Sequence, residues 1–414
     1  MSKSQGVWRD DEMGFTLTEM MVAAAMSTAI IAAGFGALTI SQKTTQASSQ
    51  VGSTQSTART ALDMLAADIK LAGFGMREIQ GGPVGNCHVN QTPAAIVPTN
   101  SILPNVGPDS VSLVVPMTNS IAAVGPLWQV AAGGPGLIGG AGPGVSIASI
   151  PLPAGATAAM GNAIPGGLPT LLNMSVSING VAGSRIVGTT PTQINVNPAI
   201  SGAQFGNGAQ VYLLQCITYQ IIPPPDGLNL CQGNAPCLVR GVAPGIPLPG
   251  QPPNCNNPNP NPLLPHPCVP ILDGVEDLQL AYACDGCDPR VNSGMSDGQL
   301  DDLDLSNGFN QADFITQRNW FQAPPPAPYG TFMTPATIRM VQISIVARET
   351  RTEQGMGEGN QVMANNSAIP IVSDHNHANG VFTLGDNATP AQQLAYSQFR
   401  RRILTRTVEL RNQR

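Results

Sequence analysis

The sequence predicts an α+β protein: one long N-terminal helix packed on antiparallel sheet, with an enlarged, loop-rich head stapled by disulfides. Three observations lead there. Residues 20–42 form an uncharged, mostly apolar run. Apolar residues then recur at steps of three and four, at Ala58, Leu62, Leu65, Ile69 and Ala72, which is the period of one helix face. From about residue 77 the pattern changes to short alternating runs bounded by Gly and Pro, the signature of strands joined by turns.

Composition narrows the function. Of 414 residues, 42% are hydrophobic, 11% charged and 4% aromatic, so the charged share is under half of what is usual. The 45 Gly and 38 Pro forbid long helices over most of the chain, and the run of Gly at every third residue, Gly133, Gly136, Gly139 and Gly142, is far too short for a collagen-like rod. There are 19 Lys+Arg against 25 Asp+Glu, a net charge of −6, and no basic run interleaved with aromatics. That balance excludes a nucleic-acid-binding surface. No Walker loop and no G-x-G-x-x-G after a strand occurs, so the residues point away from an enzyme.

The first element is the apolar run. A helix crosses a bilayer in about 20 residues at about 1.5 Å each, and residues 20–42 suffice. A cleaved secretory signal would want a basic start and a shorter apolar core. The first 14 residues instead hold two basic side chains, Lys3 and Arg9, and three acidic ones, Asp10, Asp11 and Glu12. A plain anchor leaves Glu19 unexplained, because a carboxylate at the edge of lipid is costly unless paired.

The residues here carry a resemblance. Met13-Gly14-Phe15-Thr16-Leu17-Thr18-Glu19 before an apolar helix resembles the processing site of type IV prepilins. The resemblance implies a leader over 1–14, a cut between Gly14 and Phe15 by a prepilin peptidase, and N-methylation at Phe15. It also implies that Glu19 pairs with the Phe15 ammonium of a neighbouring subunit in a filament. The acidic trio Asp10, Asp11, Glu12 departs from the usual basic leader.

The next segments follow in order. Residues 15–42 are expected to be the transmembrane and filament-core helix and 43–76 its amphipathic continuation, a single helix from Thr16 to about Leu71 being about 85 Å long at 1.5 Å per residue. Gly34 and Gly36 are weak points where it is expected to bend or melt. Gly73 and Gly75 supply the stop. Residues 77–414 form a β-rich head with Gly/Pro-rich insertions at 81–210 and 223–270. Within it, 110–116, 174–178 and 193–196 read as strands, and 210–222 as two strands or one bent one. With 15 prolines in 48 residues, 223–270 reads as mostly extended loop. In 338–350, Val341, Ile343 and Ile345 alternate with Gln342, Ser344 and Val346, so one buried face is expected. In 400–412, Leu404, Arg406, Val408 and Leu410 lie opposite Ile403, Thr405, Thr407 and Glu409.

Four stretches resemble PilW-type minor pilins: LAADIKLAGFGM at 65–76, PILDGVEDLQLAY at 270–282, IRMVQISIVARET at 338–350 and RRILTRTVELRN within 400–412. The resemblance implies a pilin-like fold and a subunit of a type IV pilus, acting in priming or assembly at or near the tip. The implied partners are other minor pilins, the major pilin and a tip adhesin, with no nucleic acid. The implied location is the bacterial inner membrane with the head in the periplasm, then the pilus. Two alternatives stand beside it: a J-type pseudopilin of a type II secretion system, and an adhesive module that the pilus displays.

Eight cysteines in a head outside the cytoplasm read as disulfides. Proximity pairs Cys231 with Cys237, Cys255 with Cys268 and Cys284 with Cys287, leaving Cys87 and Cys216, although eight Cys allow 105 connectivities. For Cys284-Asp285-Gly286-Cys287, a redox or zinc site is the rival. No cofactor is expected beyond a structural calcium in the acidic loop 297–313, where Asp302, Asp304, Ser306, Asn310 and Asp313 echo the spacing of an EF-hand. Gly308 falls one step late there, and Asp stands where Glu is usual; a solvated Asp/Asn/Gly turn is the alternative. The Asp374-His375-Asn376-His377 run lacks a third ligand and reads as surface loop.

Overall fold

The structure is a computed structural model. It describes residues 16–76, 78–79, 84, 87–89, 92–99, 108–117, 146–152, 155–163, 171–172, 174–201, 209–222, 230–231, 235–242, 268–288, 290, 295–303, 305–306, 308–315, 334–348 and 401–411. The chain divides into two compact units, one ending at Ser53 and the other beginning at Thr54.

In the first unit the helix α1 (Leu17–Leu71) begins. Leu17–Gln42 is long and apolar enough to cross a membrane, and its side chains are exposed. Hydroxyls within this stretch turn back on the helix: Thr28 donates to the Ala24 carbonyl at 3.0 Å and Thr39 to that of Gly36 at 2.8 Å. Such bonds satisfy a polar group locally where the surroundings offer no partner. The helix does not melt at Gly34 and Gly36, since it runs through both. Each Gly costs only about 1 kcal/mol in a helix interior, too little to overcome the flanking helix formers.

In the second unit the helix buries one face: Ala58, Ala61, Leu62, Leu65, Ala66, Ile69 and Ala72. It ends where Gly73 and Gly75 take φ of +78° and +81°, a left-handed turn that suits glycine.

The strands follow in order: β1 (Glu78–Ile79), β2 (His88–Val89), β3 (Thr92–Pro93), β4 (Ile96–Thr99), β5 (Ser110–Pro116) and β6 (Ser146–Pro151). A short helix α2 (Ala156–Ala163) precedes β7 (Ser175–Ile178), β8 (Ala182–Thr190), β9 (Gln193–Ser201) and β10 (Val211–Ile222). Then come β11 (Cys237–Val242), β12 (Cys268–Asp273), β13 (Val275–Cys284), β14 (Ile338–Arg348) and β15 (Arg401–Glu409). The larger sheet runs β12-β11-β10-β7-β8-β9-β6, with β5 also on β10, β4 on β5 and β1 on β8. All its pairs are antiparallel except β1 with β8. The smaller sheet is β13-β14-β15, also antiparallel, and β2 pairs with β3.

The 210–222 stretch is a single strand, β10, which pairs with β7 through 211–214, with β5 through 214–219 and with β11 through 217–222. The proline-rich segment is not all loop. Cys237–Val242 contains no Pro, so it keeps its N–H donors and pairs along β10 as β11.

Two main cores result. The first packs the helix face against β5, β10, β13 and β14, with Leu113, Ile217, Leu278, Val341 and Ile343 buried. The second, around Met160, Ile178, Ile186, Ile194 and Leu213, lies under α2 and β6–β9 and contains no residue of α1.

The β14 strand corrects the expected one-sided burial, because both its faces are buried from Val341 to Arg348. Its polar residues find partners instead of water. Gln342 exchanges amide bonds with Gln311 at 2.8 and 3.1 Å, and Ser344 meets Thr405 at 2.9 Å. Arg348 pairs at 3.3 Å with Glu276 on the equally buried β13.

Candidate functional site

The N-terminal site is built on the first turn of α1. The Thr16 N–H and hydroxyl each donate to Glu19 Oε2 at 2.9 Å, and the Glu19 N–H donates to Thr16 Oγ1 at 3.3 Å. This is a reciprocal capping box, which satisfies two otherwise orphaned helix donors. It also gives the carboxylate partners within its own chain, reducing its cost beside an apolar run. Gly14 and Phe15 lie outside the described residues. Sequence reasoning assigns Glu19 to a neighbouring ammonium and misses Thr16, although the T-x-x-E spacing signals it.

The cysteines staple the head. The structure joins Cys87 to Cys216, Cys231 to Cys237 and Cys284 to Cys287. Cys268 is also disulfide-bonded; Cys255 lies outside the described residues. Asp273 approaches the Cys231–Cys237 pair and Asp301 the Cys284–Cys287 pair. With their sulfurs joined, these cysteines offer no thiolate to a metal.

The described residues of 285–313 have almost no regular structure, and aspartates organise them. Asp301 accepts backbone N–H bonds from Gly286 at 3.1 Å, Cys287 at 2.8 Å and Asp288 at 3.0 Å. Its own N–H donates to the Cys284 carbonyl at 2.9 Å, and its Oδ2 lies 3.9 Å from Cys284 Sγ. Burial pushes the Asp301 carboxyl above the usual carboxylate range; the three N–H bonds oppose that, and the Asp285 charge adds to it. Asp285, itself buried, accepts from Ser296 Oγ at 2.5 Å, from the Asp297 N–H at 3.0 Å and from Arg339 at 3.3 Å. Asp288 holds Arg290, which reaches on to the Leu303 carbonyl at 2.8 Å.

Of the expected calcium ligands, Asp302 accepts N–H bonds from Ser306 at 3.1 Å and Gly308 at 2.8 Å. Asp313 accepts from Leu303 at 2.7 Å and Asn310 at 2.5 Å. The Asn310 side chain donates to Ser306 Oγ at 2.8 Å. Asp304 lies outside the described residues, as does the 374–377 run. The role of Asp301 escapes sequence reasoning, because its partners are backbone amides that any residue could supply; those of Asp285 and Asp288 escape it because they combine such amides with side chains that the fold brings in.

A third polar group links helix and sheet within the second unit. Asp68 on α1 accepts from the Tyr219 hydroxyl at 2.7 Å and from Arg240 Nε at 2.8 Å. Burial, reinforced by the Asp68 charge, raises the Tyr219 phenol well above its ordinary value.

No curated protein matches this chain. Among solved structures, the chain is similar to a type IV-like pilin from Thermus thermophilus at 10% identity, with a TM-score of 0.27, over 86% of this chain and 96% of the other. The sequence of residues 264–412 matches the family described as type IV pilus-assembly protein W. That segment carries β12, β13, β14 and β15, so the whole three-stranded sheet lies inside the match.

Proposed function

We propose that the chain is a minor pilin of a type IV pilus, a structural subunit that primes assembly and sits at or near the tip. It enters the bacterial inner membrane with its head in the periplasm, is cut between Gly14 and Phe15 by a prepilin peptidase, and is N-methylated at Phe15. It then joins other minor pilins, the major pilin and a tip adhesin. One observation carries the reading: a span at Leu17–Gln42 with Glu19 in its first turn stands in the same chain as the pilus-assembly match at 264–412. The head, from Thr54 onward, is far larger than the helix that would enter the filament, and repeating it along a thin fibre would crowd the surface. That favours a few copies at one end.

The test is intact mass and N-terminal sequencing of protein from membranes with and without the peptidase. A methylated Phe15 terminus only with the peptidase supports the reading. A terminus at Met1 or Ser2 in both strains overturns it. Gene deletion then separates the pilus from its rival machine: loss of piliation supports the minor pilin, and loss of protein secretion supports the J-type pseudopilin.

The second core favours one further reading, an adhesive module on display, because its residues are separate from those packed on α1. Deleting 146–201 distinguishes the two. Normal piliation with lost adhesion supports display, and lost piliation supports an assembly role.

A further inference from the structure

The Cys284–Cys287 bridge and Asp301 interlock in a way that disulfide stapling alone does not require. The bridge closes a four-residue loop, and the amides of Gly286, Cys287 and Asp288 converge from it on one carboxylate. Gly286 adopts φ +84°, and a Cβ there would lie 2.7 Å from the Ser296 nitrogen, so this turn and the 295–303 segment are fitted to each other. Asp301 belongs to that segment. Cys284 and Cys287 are at most 1% exposed and Asp301 is 4% exposed, so an outside thiol reaches the bridge only after the packing around it opens.

We propose that Cys284–Cys287 and Asp301 form a redox latch: with the bridge closed the 295–303 segment is docked on β14, and with it open the segment is released. Opening takes two electrons and two protons from a dithiol reductant. The S–S bond breaks, two S–H bonds form, and the dithiol becomes a disulfide. Closing against a disulfide oxidant is the reverse.

The coupling is reciprocal, as linkage requires. A closed bridge holds the three amides in the geometry that Asp301 needs. Asp301, by binding those amides, holds the two cysteines within bonding reach. Asp301 is therefore a positioning residue for the bridge.

The latch also governs a cavity of about 400 Å³ between the segment and the sheet, lined by Ser296, Gln299 and Leu300 on one side and by Arg339, Met340 and Leu410 on the other. Asp285, within the bridged loop, ties the two walls by holding both Ser296 and Arg339. Releasing the segment removes one wall.

The full chain in detergent micelles is equilibrated in glutathione buffers, and bridging of the 284/287 pair is counted by differential alkylation and peptide mass. Asp301→Ala is expected to shift the equilibrium toward the dithiol at least tenfold, about 30 mV for a two-electron couple. Asp301→Asn, whose amide oxygen still accepts N–H bonds, is expected to shift it less. In the reciprocal arm, Cys284→Ser with Cys287→Ser is expected to speed hydrogen exchange of the 296–303 amides while the β14 amides stay protected. A wild-type equilibrium constant in Asp301→Ala, or unchanged exchange in the serine pair, overturns the proposal. Where Asp301→Ala loses β14 protection and so fails to fold, Asp301→Asn decides: no shift overturns the latch, and an intermediate shift supports it.

Discussion

Asp68 accepts a 2.7 Å hydrogen bond from the Tyr219 hydroxyl, which lies 151 residues further along the chain. The same carboxylate oxygen takes Arg240 Nε at 2.8 Å, so one helical residue fixes both β10 and β11. Asp68→Ala leaves a half-buried guanidinium and a buried hydroxyl without their acceptor and is expected to cost about 2 kcal/mol. Tyr219→Phe removes one neutral donor and is expected to cost about 1 kcal/mol. Urea unfolding of the two variants and their double mutant measures the coupling.

The Tyr219 phenol also sets an alkaline limit. Its pKa is raised in the folded protein by burial and then by Asp68, whereas in the unfolded chain it ionises near pH 10. The stabilising contribution is therefore complete below about pH 10 and is lost as pH rises through the folded value. Tyr219→Phe should lack this component, which a series of Tm values above pH 9 would reveal as a shallower decline.

Asp109 serves the open edge of β13. Its N–H donates to the Leu278 carbonyl at 2.7 Å, and its carboxylate accepts from the Leu280 N–H at 2.9 Å. Tyr282 and Ile315 exchange two further bonds along this edge. Asp109→Ala strands a buried donor, with an expected cost of about 2 kcal/mol. Faster hydrogen exchange at Leu280 than at the β13 amides facing β14 would confirm where the loss falls.

Asp302 and Asp313 have their oxygens turned toward backbone N–H groups. A calcium ion wants six to eight oxygen ligands and would have to displace those donors. Chelation followed by added calcium is therefore expected to leave Tm unchanged, and a calcium-dependent rise would show that the loop rearranges to bind it. Asp313→Ala, which orphans the Leu303 and Asn310 amides, is expected to cost about 2 kcal/mol in either buffer.

The Cys87–Cys216 bridge spans a sequence separation of 129. Closing so long a loop in the unfolded chain is worth about 5 kcal/mol in the chain-entropy account. Replacing both cysteines by Ser should lower stability by that order, with little change expected in the β13–β15 sheet. Denaturant midpoints under non-reducing conditions would test this.

What the sequence revealed depends on where each residue finds its partner. The strands at β5, β14 and β15 were legible because alternation and turn residues are local signals. The helix face from Ala58 to Ala72 was legible for the same reason. The second buried face of β14 was not, because Gln342 and Ser344 look solvent-facing until Gln311 and Thr405 supply their partners. The β11 strand was hidden among prolines, since its order comes from pairing along β10. At the N-terminus, the span and the position of Glu19 could be read directly, and the capping partner three residues back was equally readable. The aspartate-held turns were not, because carboxylate-to-amide bonds leave no pattern of residue types to find.

The Cys87–Cys216 bridge has a consequence for wear. A protease that cuts anywhere between residues 88 and 215 produces two chains that remain one molecule, joined through sulfur on either side of the cut. Such a nick leaves the mass on a non-reducing gel unchanged and becomes visible only when thiol is added. A chain built this way tolerates a severed backbone across nearly a third of its length without shedding a fragment.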